Sequence, residues 1–192
     1  MLASRQHSWT SSKLLAMTLY LVGYAGSGKS SLGKRLARRL GIRFVDTDKW
    51  VESQEGASVA DIFLYGGEAY FRNAERQAVE SLYAEGENMV VATGGGLPTW
   101  SDNMEWLNHH GLTIYLERTA EQILSRMSAY GRDKRPMFRG KSDDELLSFM
   151  HSQMAEREGF YRQAHISVDC TPISDDEAVE VIEKELIARI DE

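Results

Sequence analysis

One cysteine, Cys170, is all the thiol chemistry these 192 residues hold. No internal disulfide can form, which fits a chain kept in a reducing compartment such as the cytoplasm. Prolines number three, and no apolar run approaches the about 18 residues that a membrane-spanning helix needs. Basic residues are outnumbered, 22 against 29. The net charge of −7 speaks against a general nucleic-acid binder but leaves room for a local basic pocket. D-x-x-G and N-K-x-D are both missing, which excludes a GTP-binding switch built on those motifs. No segment repeats. The one biased stretch is "MLASRQHSWTSSKLLA" at 1–16, Ser-rich and without an acid, with Arg5 and Lys13. That composition is shared with transit peptides, but the amphipathic order is lacking. The expectation is a poorly ordered extension over 1–16 ahead of one domain over 17–192, opening at Met17.

What is present is alternation. "MTLYLV" (17–22), "IRFVD" (42–46), "NMVVAT" (88–93), "LTIYLE" (112–117) and "HISVD" (165–169) are short, apolar and β-branched enough to predict strands. Between them lie helical patterns. In 29–41, Leu32, Leu36 and Leu40 recur four apart before Gly41, an amphipathic helix with its stop signal. Two more are expected in "SVADIFLYGG", capped by Ser58, and in "GEAYFRNAERQAVESLYAEGE". Others fall at 101–110, 119–128, 142–158 and 175–190. Strands alternating with helices predict an α/β fold of three layers, a parallel sheet covered on both faces.

The stretch "GYAGSGKSS" (23–31) sits where the first strand hands over to a helix. Gly23, Gly28, Lys29 and Ser30 satisfy G-x-x-x-x-G-K-[ST], and Gly26 adds further freedom. Such a loop turns backbone N–H groups inward around a phosphate, where a Cβ would obstruct. The following helix N-terminus adds partial positive charge. Gly26, Ser27, Gly28, Lys29, Ser30 and Ser31 are therefore the candidate ATP-binding residues. Lys29 can reach the β- and γ-phosphates, and Ser30 can ligate Mg²⁺.

Four further stretches carry candidate chemistry. In "FVDTD", Asp46 and Asp48 stand two apart at a strand end, where they would share one face; a helix cap at Asp48 is the alternative. One carboxylate near Mg²⁺ and one near an acceptor hydroxyl is a workable kinase arrangement. In "YFRNAERQ", Arg72 and Arg76 lie one turn apart around Glu75, a spacing that by itself reads as a surface helix with ion pairs. "TGGG" (93–96) lets a ligand approach backbone N–H groups. "AYGRDKRPMFRGK" (129–141) has five basic residues, Arg132, Lys134, Arg135, Arg139 and Lys141, against one acid, which suits a cationic flap over phosphates. Arg157 and Arg162 fall late in a helix.

Taken in order, "GYAGSGKSSLG", "DTD", "FRNAE", "TGGG", "RPMF" and "REGFY" resemble the shikimate kinase family, of the nucleoside-monophosphate-kinase-like fold, from about Met17 onward. The resemblance implies a five-stranded parallel sheet in the order 2-3-1-4-5, a lid, and ATP-dependent phosphorylation of the shikimate 3-hydroxyl. It implies Ser30 and Asp46 at the metal, and Asp48 on the attacking hydroxyl. It also implies Arg72 and Arg157 on the carboxylate, the Gly95 N–H on the substrate, and Arg135 closing with the lid onto ATP. The partner is then a small molecule, with no nucleic acid or membrane, and the chain a monomer. Gluconate kinase and other small-molecule kinases share the fold and the loop, but paired arginines favour a carboxylate. "RPMF" departs from the smaller aliphatic residues usual after Arg-Pro, which bears on lid packing. In the adenine-contacting region, near 169–175, the resemblance singles out no residue.

Overall fold

The computed structural model describes residues 17–127, 132 and 136–191. Its five strands are β1 (Thr18–Val22), β2 (Arg43–Asp46), β3 (Met89–Ala92), β4 (Leu112–Glu117) and β5 (Ile166–Asp169). They form one sheet in the order β2-β3-β1-β4-β5, every pairing parallel. This is the order the resemblance implied. Residues 1–16 lie outside the described residues.

β1 is central and all five of its residues are buried. Because side chains alternate along a strand, it feeds two cores. Leu19 and Leu21 pack with Leu32 and Leu36 of α1 (Lys29–Leu40) and with Val179, Ile182 and Leu186 of α7 (Asp175–Asp191). Tyr20 and Val22 face the other way, toward Val79 and Leu82 of α3 (Val59–Ala84), Leu107 of α4 (Asn103–His110) and Met150 of α6 (Asp143–Tyr161). Each such leucine, fully buried, stabilises the fold by about 1.5–3 kcal/mol. The short helices α2 (Thr47–Glu55) and α5 (Ala120–Arg126) complete the layers.

The two helices expected around 58–87 form one segment, α3, broken at Gly67, whose φ of 78° and ψ of 174° interrupt the helical path. The helix starts differ in a way that matters for the site. α3 begins on a Ser58 cap, and α5 and α6 on the capping boxes Thr119–Gln122 and Ser142–Glu145. α1 has Gly28 at its cap position (φ 98°), no side-chain cap and no acid in its first turn. Its first N–H groups are thus left for an anion. No helix among the described residues is long and apolar enough to cross a membrane.

Candidate active site

The loop from β1 to α1 turns through Gly23, Gly26 and Gly28, all at positive φ. Ser27 and Lys29 are buried within it. Lys29 Nζ donates to the carbonyls of Gly23 at 2.7 Å and Tyr24 at 2.8 Å, so the ammonium lies folded against its own loop. Ser30 Oγ donates to Asp46 Oδ2 at 2.5 Å. Ser31 Oγ donates sideways, to Asp175 Oδ2 at 2.8 Å.

Beside this loop lies a cavity of about 460 Å³. Ser30, Asp46, Asp48, Arg72, Glu75, Gly94, Gly95, Gly96, Arg139 and Arg157 line it. The strand face expected to carry both aspartates is corrected by the chain path. β2 ends at Asp46, and Asp46 caps α2 by accepting from Lys49 N at 3.3 Å. Asp48 is therefore not the cap; it lies inside the first turn, and the two carboxylates meet at the cavity through a strand-to-helix corner. Burial pushes Asp48 up to about 6, the Asp46 charge pushes the same way, and Lys29 and Arg72 pull it down. Its Oδ1 is buried without a hydrogen-bond partner among the described residues.

Arg72 and Glu75 form a pair that the sequence alone placed on a surface. Nη1 of Arg72 donates to Glu75 Oε2 at 2.5 Å, with the side chains 6% and 0% exposed. Glu68 accepts from Arg72 Nη2 at 3.0 Å at the outer end. The guanidinium lies 5.5 and 5.6 Å from the ring centres of Phe71 and Phe63. Glu75 Oε1 is buried and has no hydrogen-bond partner among the described residues.

The glycine run explains how so many groups fit. A Cβ on Gly94 would stand 1.9 Å from Glu75 Oε1 and 2.9 Å from Asp48 Oδ1; one on Gly96 would stand 2.2 Å from Arg72 Nη2. These glycines make room for the chain's own charged side chains as well as lining the cavity. Glu75 is the residue missed from the sequence, and the only signal for it was an acid one turn from Arg72.

Arg157 lines the cavity from α6, its guanidinium 5.8 Å from the Tyr24 ring centre. Tyr161, one turn on, donates to Gly95 O at 2.6 Å and ties the glycine run to the same helix. Arg76 and Arg162 point elsewhere. Arg76 bonds Glu80, Asp102 and Asn103, and Arg162 bonds Glu117 and Glu158. Of the expected flap, Arg135 and Lys134 lie outside the described residues. Met137 and Arg139 reach the cavity, and Phe138 is buried against Tyr24 and Phe149. The bulk at "RPMF" is thus accounted for by packing onto the phosphate loop.

Ser30 and Asp46 offer a hydroxyl and a carboxylate, hard oxygens suited to Mg²⁺. Among the described residues no three His, Cys, Asp or Glu converge on a metal position. An ion here would rest on these two residues together with nucleotide oxygens and water, as Mg²⁺ accepts.

The comparisons agree with this geometry. The shikimate kinase family model matches residues 25–188. A shikimate kinase of Bacteroides fragilis is 38% identical over 168 residues, 88% of this chain and 93% of its own length. The solved shikimate kinase of Bacteroides thetaiotaomicron superposes with a TM-score of 0.81 at 34% identity, covering 88% of this chain and 98% of the other. The shikimate kinase of Acinetobacter baumannii, solved in complex with shikimate, gives 0.82 at 28% identity, covering 92% and 97%. With the family model covering most of the chain and the relatives matched nearly end to end, this chain belongs to the shikimate kinase family.

Proposed function

We propose that this kinase moves the γ-phosphoryl group of ATP to the shikimate 3-hydroxyl, giving shikimate 3-phosphate and ADP, with its residues divided as follows. The loop 26–31 and the α1 N-terminus hold the phosphates; Lys29 leaves its carbonyl contacts to meet the β- and γ-oxygens. Ser30 and Asp46 hold Mg²⁺, whose charge offsets that of the phosphates. Asp48 accepts a hydrogen bond from the attacking hydroxyl and takes its proton as the bond to phosphorus forms. Arg72, braced by Glu75, and Arg157 grip the shikimate carboxylate, for which planar guanidinium groups are suited. Gly95 offers its N–H to the ring, and Arg135 closes over ATP with the flap. In this reading the enzyme works as a monomer on a small molecule of the cytoplasm.

One observation carries this reading: Arg72, Arg139 and Arg157 line a single cavity together with Asp46, Asp48 and the buried Glu75, and that cavity opens onto the phosphate loop. The test is ADP release with shikimate, gluconate and nucleoside monophosphates as acceptors, followed by a cycle of enzyme and substrate change. Turnover with shikimate alone is expected. Arg72→Ala or Arg157→Ala should lower kcat/KM for shikimate by roughly 30- to several-thousand-fold. Replacing the substrate carboxylate by an amide should harm the wild type far more than either variant. Equal harm to both would remove the arginines from the carboxylate.

A further inference from the structure

Arg118 has no place in the chemistry above, yet it is one of the most completely bonded charges in the chain. It directly follows β4, the strand beside β1, and its side chain is 3% exposed. Nε donates to Ser27 O at 2.9 Å, Nη1 to Cys170 O at 2.9 Å, and Nη2 to Asp175 Oδ1 at 2.8 Å. One guanidinium therefore holds the phosphate loop, the β5–α7 connection and the first residue of α7. Asp175 extends the tie, accepting from Ser31 Oγ and from Arg126 Nη2.

The bond to Ser27 O is the informative one. The chain has no cis peptide among its described residues, and in a trans peptide C=O and N–H point in opposite directions. Fixing the Ser27 carbonyl toward Arg118 therefore fixes the Gly28 N–H away from it. Gly28 is the glycine at the head of α1, with a φ of 98°. With no Cβ to limit it, the peptide before Gly28 could rotate were its carbonyl not held. Lys29 cannot supply the same restraint: it bonds Gly23 and Tyr24 instead, and in the proposed reaction it leaves them for phosphate.

We infer that Arg118 is a positioning residue for nucleotide phosphates: it keeps the Gly28 N–H aimed into the loop, and its grip persists through binding because it lies beneath the loop. This rests on the loop holding phosphates. The base, by contrast, would feel Arg118 only through 170–175.

The test compares two ligands, ADP and adenosine, by calorimetry. Arg118→Met retains much of the buried volume and removes all three donations. ADP affinity should fall about 10- to 100-fold, the range for losing a hydrogen bond from a charged group, and adenosine affinity should hold. The KM for shikimate should also hold while kcat falls. Arg118→Lys, with one compact ammonium for three acceptors, should fall between. Equal weakening of ADP and adenosine would make Arg118 a prop for the 170–175 wall and overturn the proposal, as would unchanged ADP binding. Were both variants unfolded, the wild type still decides: the ¹⁵N-detected Arg118 Nε–H should stay protected from solvent exchange when ADP is added, and faster exchange would refute a persistent grip. Failure of wild-type ADP binding would instead strike at the phosphate loop itself.

Discussion

Arg72 holds Glu75 across 2.5 Å with both side chains withdrawn from solvent. Burial lifts the Glu75 carboxyl from the ordinary 4.5 to about 8, although the guanidinium pulls it down. Folding therefore retains a proton that the unfolded chain gives up. Its contribution to stability is full below about pH 4.5 and is lost as pH rises through about 8. Glu75→Gln has no such proton to lose, and its amide oxygen can still accept from Arg72. Urea midpoints of the wild type should fall over that window, and those of Glu75→Gln should fall less. Parallel curves would contradict the assignment.

The same reasoning gives Asp48 a signature in rate. Its carboxyl, lifted to about 6, accepts the substrate hydroxyl only when ionised. The profile of kcat/KM for shikimate should climb through about pH 6. The Asp46 charge contributes to the lift, so Asp46→Asn at saturating Mg²⁺ should move the inflection toward lower pH while lowering the plateau. An inflection that stays or moves upward would separate the two aspartates.

Gly94 and Gly159 predict opposite outcomes for one substitution. Alanine at 94 drives a methyl into Glu75 and Asp48 and should destabilise by about 1–3 kcal/mol, with loss of shikimate binding. Alanine at 159, in the last turn of α6 with nothing within 4 Å, should stabilise by up to about 0.5–1 kcal/mol and leave activity intact. Chemical denaturation of both reads the sign directly.

Lys29→Met removes the ammonium from the phosphate loop. Phosphoryl transfer should become undetectable, while thermal unfolding remains cooperative. With no rate to follow, the Asp48 carboxyl of the variant is read by carbon NMR, and it should titrate higher than in the wild type, since Lys29 pulls it down. Wild-type turnover in folded Lys29→Met would end the assignment of this loop.

The strands, the phosphate loop and the cavity's arginines were legible because each leaves a local pattern; the strand order followed only from the family resemblance that those patterns carry. An apolar run, a spaced glycine motif and a string such as "FRNAE" survive in one dimension. Asp46 and Asp48 were legible as a pair but not as a corner, because nothing in "DTD" says that the strand yields to a helix at Thr47. Glu75 and Arg118 were illegible for a different reason. A charge is normally solvated, and what buries these two is distant in sequence: the glycines at 94–96 for one, Ser27, Cys170 and Asp175 for the other.

The break at Gly67 decides which residues can be neighbours at all. Nine residues of unbroken helix turn through about 900° and advance about 13 Å, which would leave Phe63 and Arg72 on opposite sides, well separated along the axis. The guanidinium is instead 5.6 Å from the centre of that ring. The non-helical backbone at one glycine thus kinks a 26-residue segment, so that Val59 and Phe63 stand in the same wall as Arg72 and Glu75. The wall is hinged in its covalent geometry: a rotation at that one backbone position would part the aromatic half from the charged half without unwinding either.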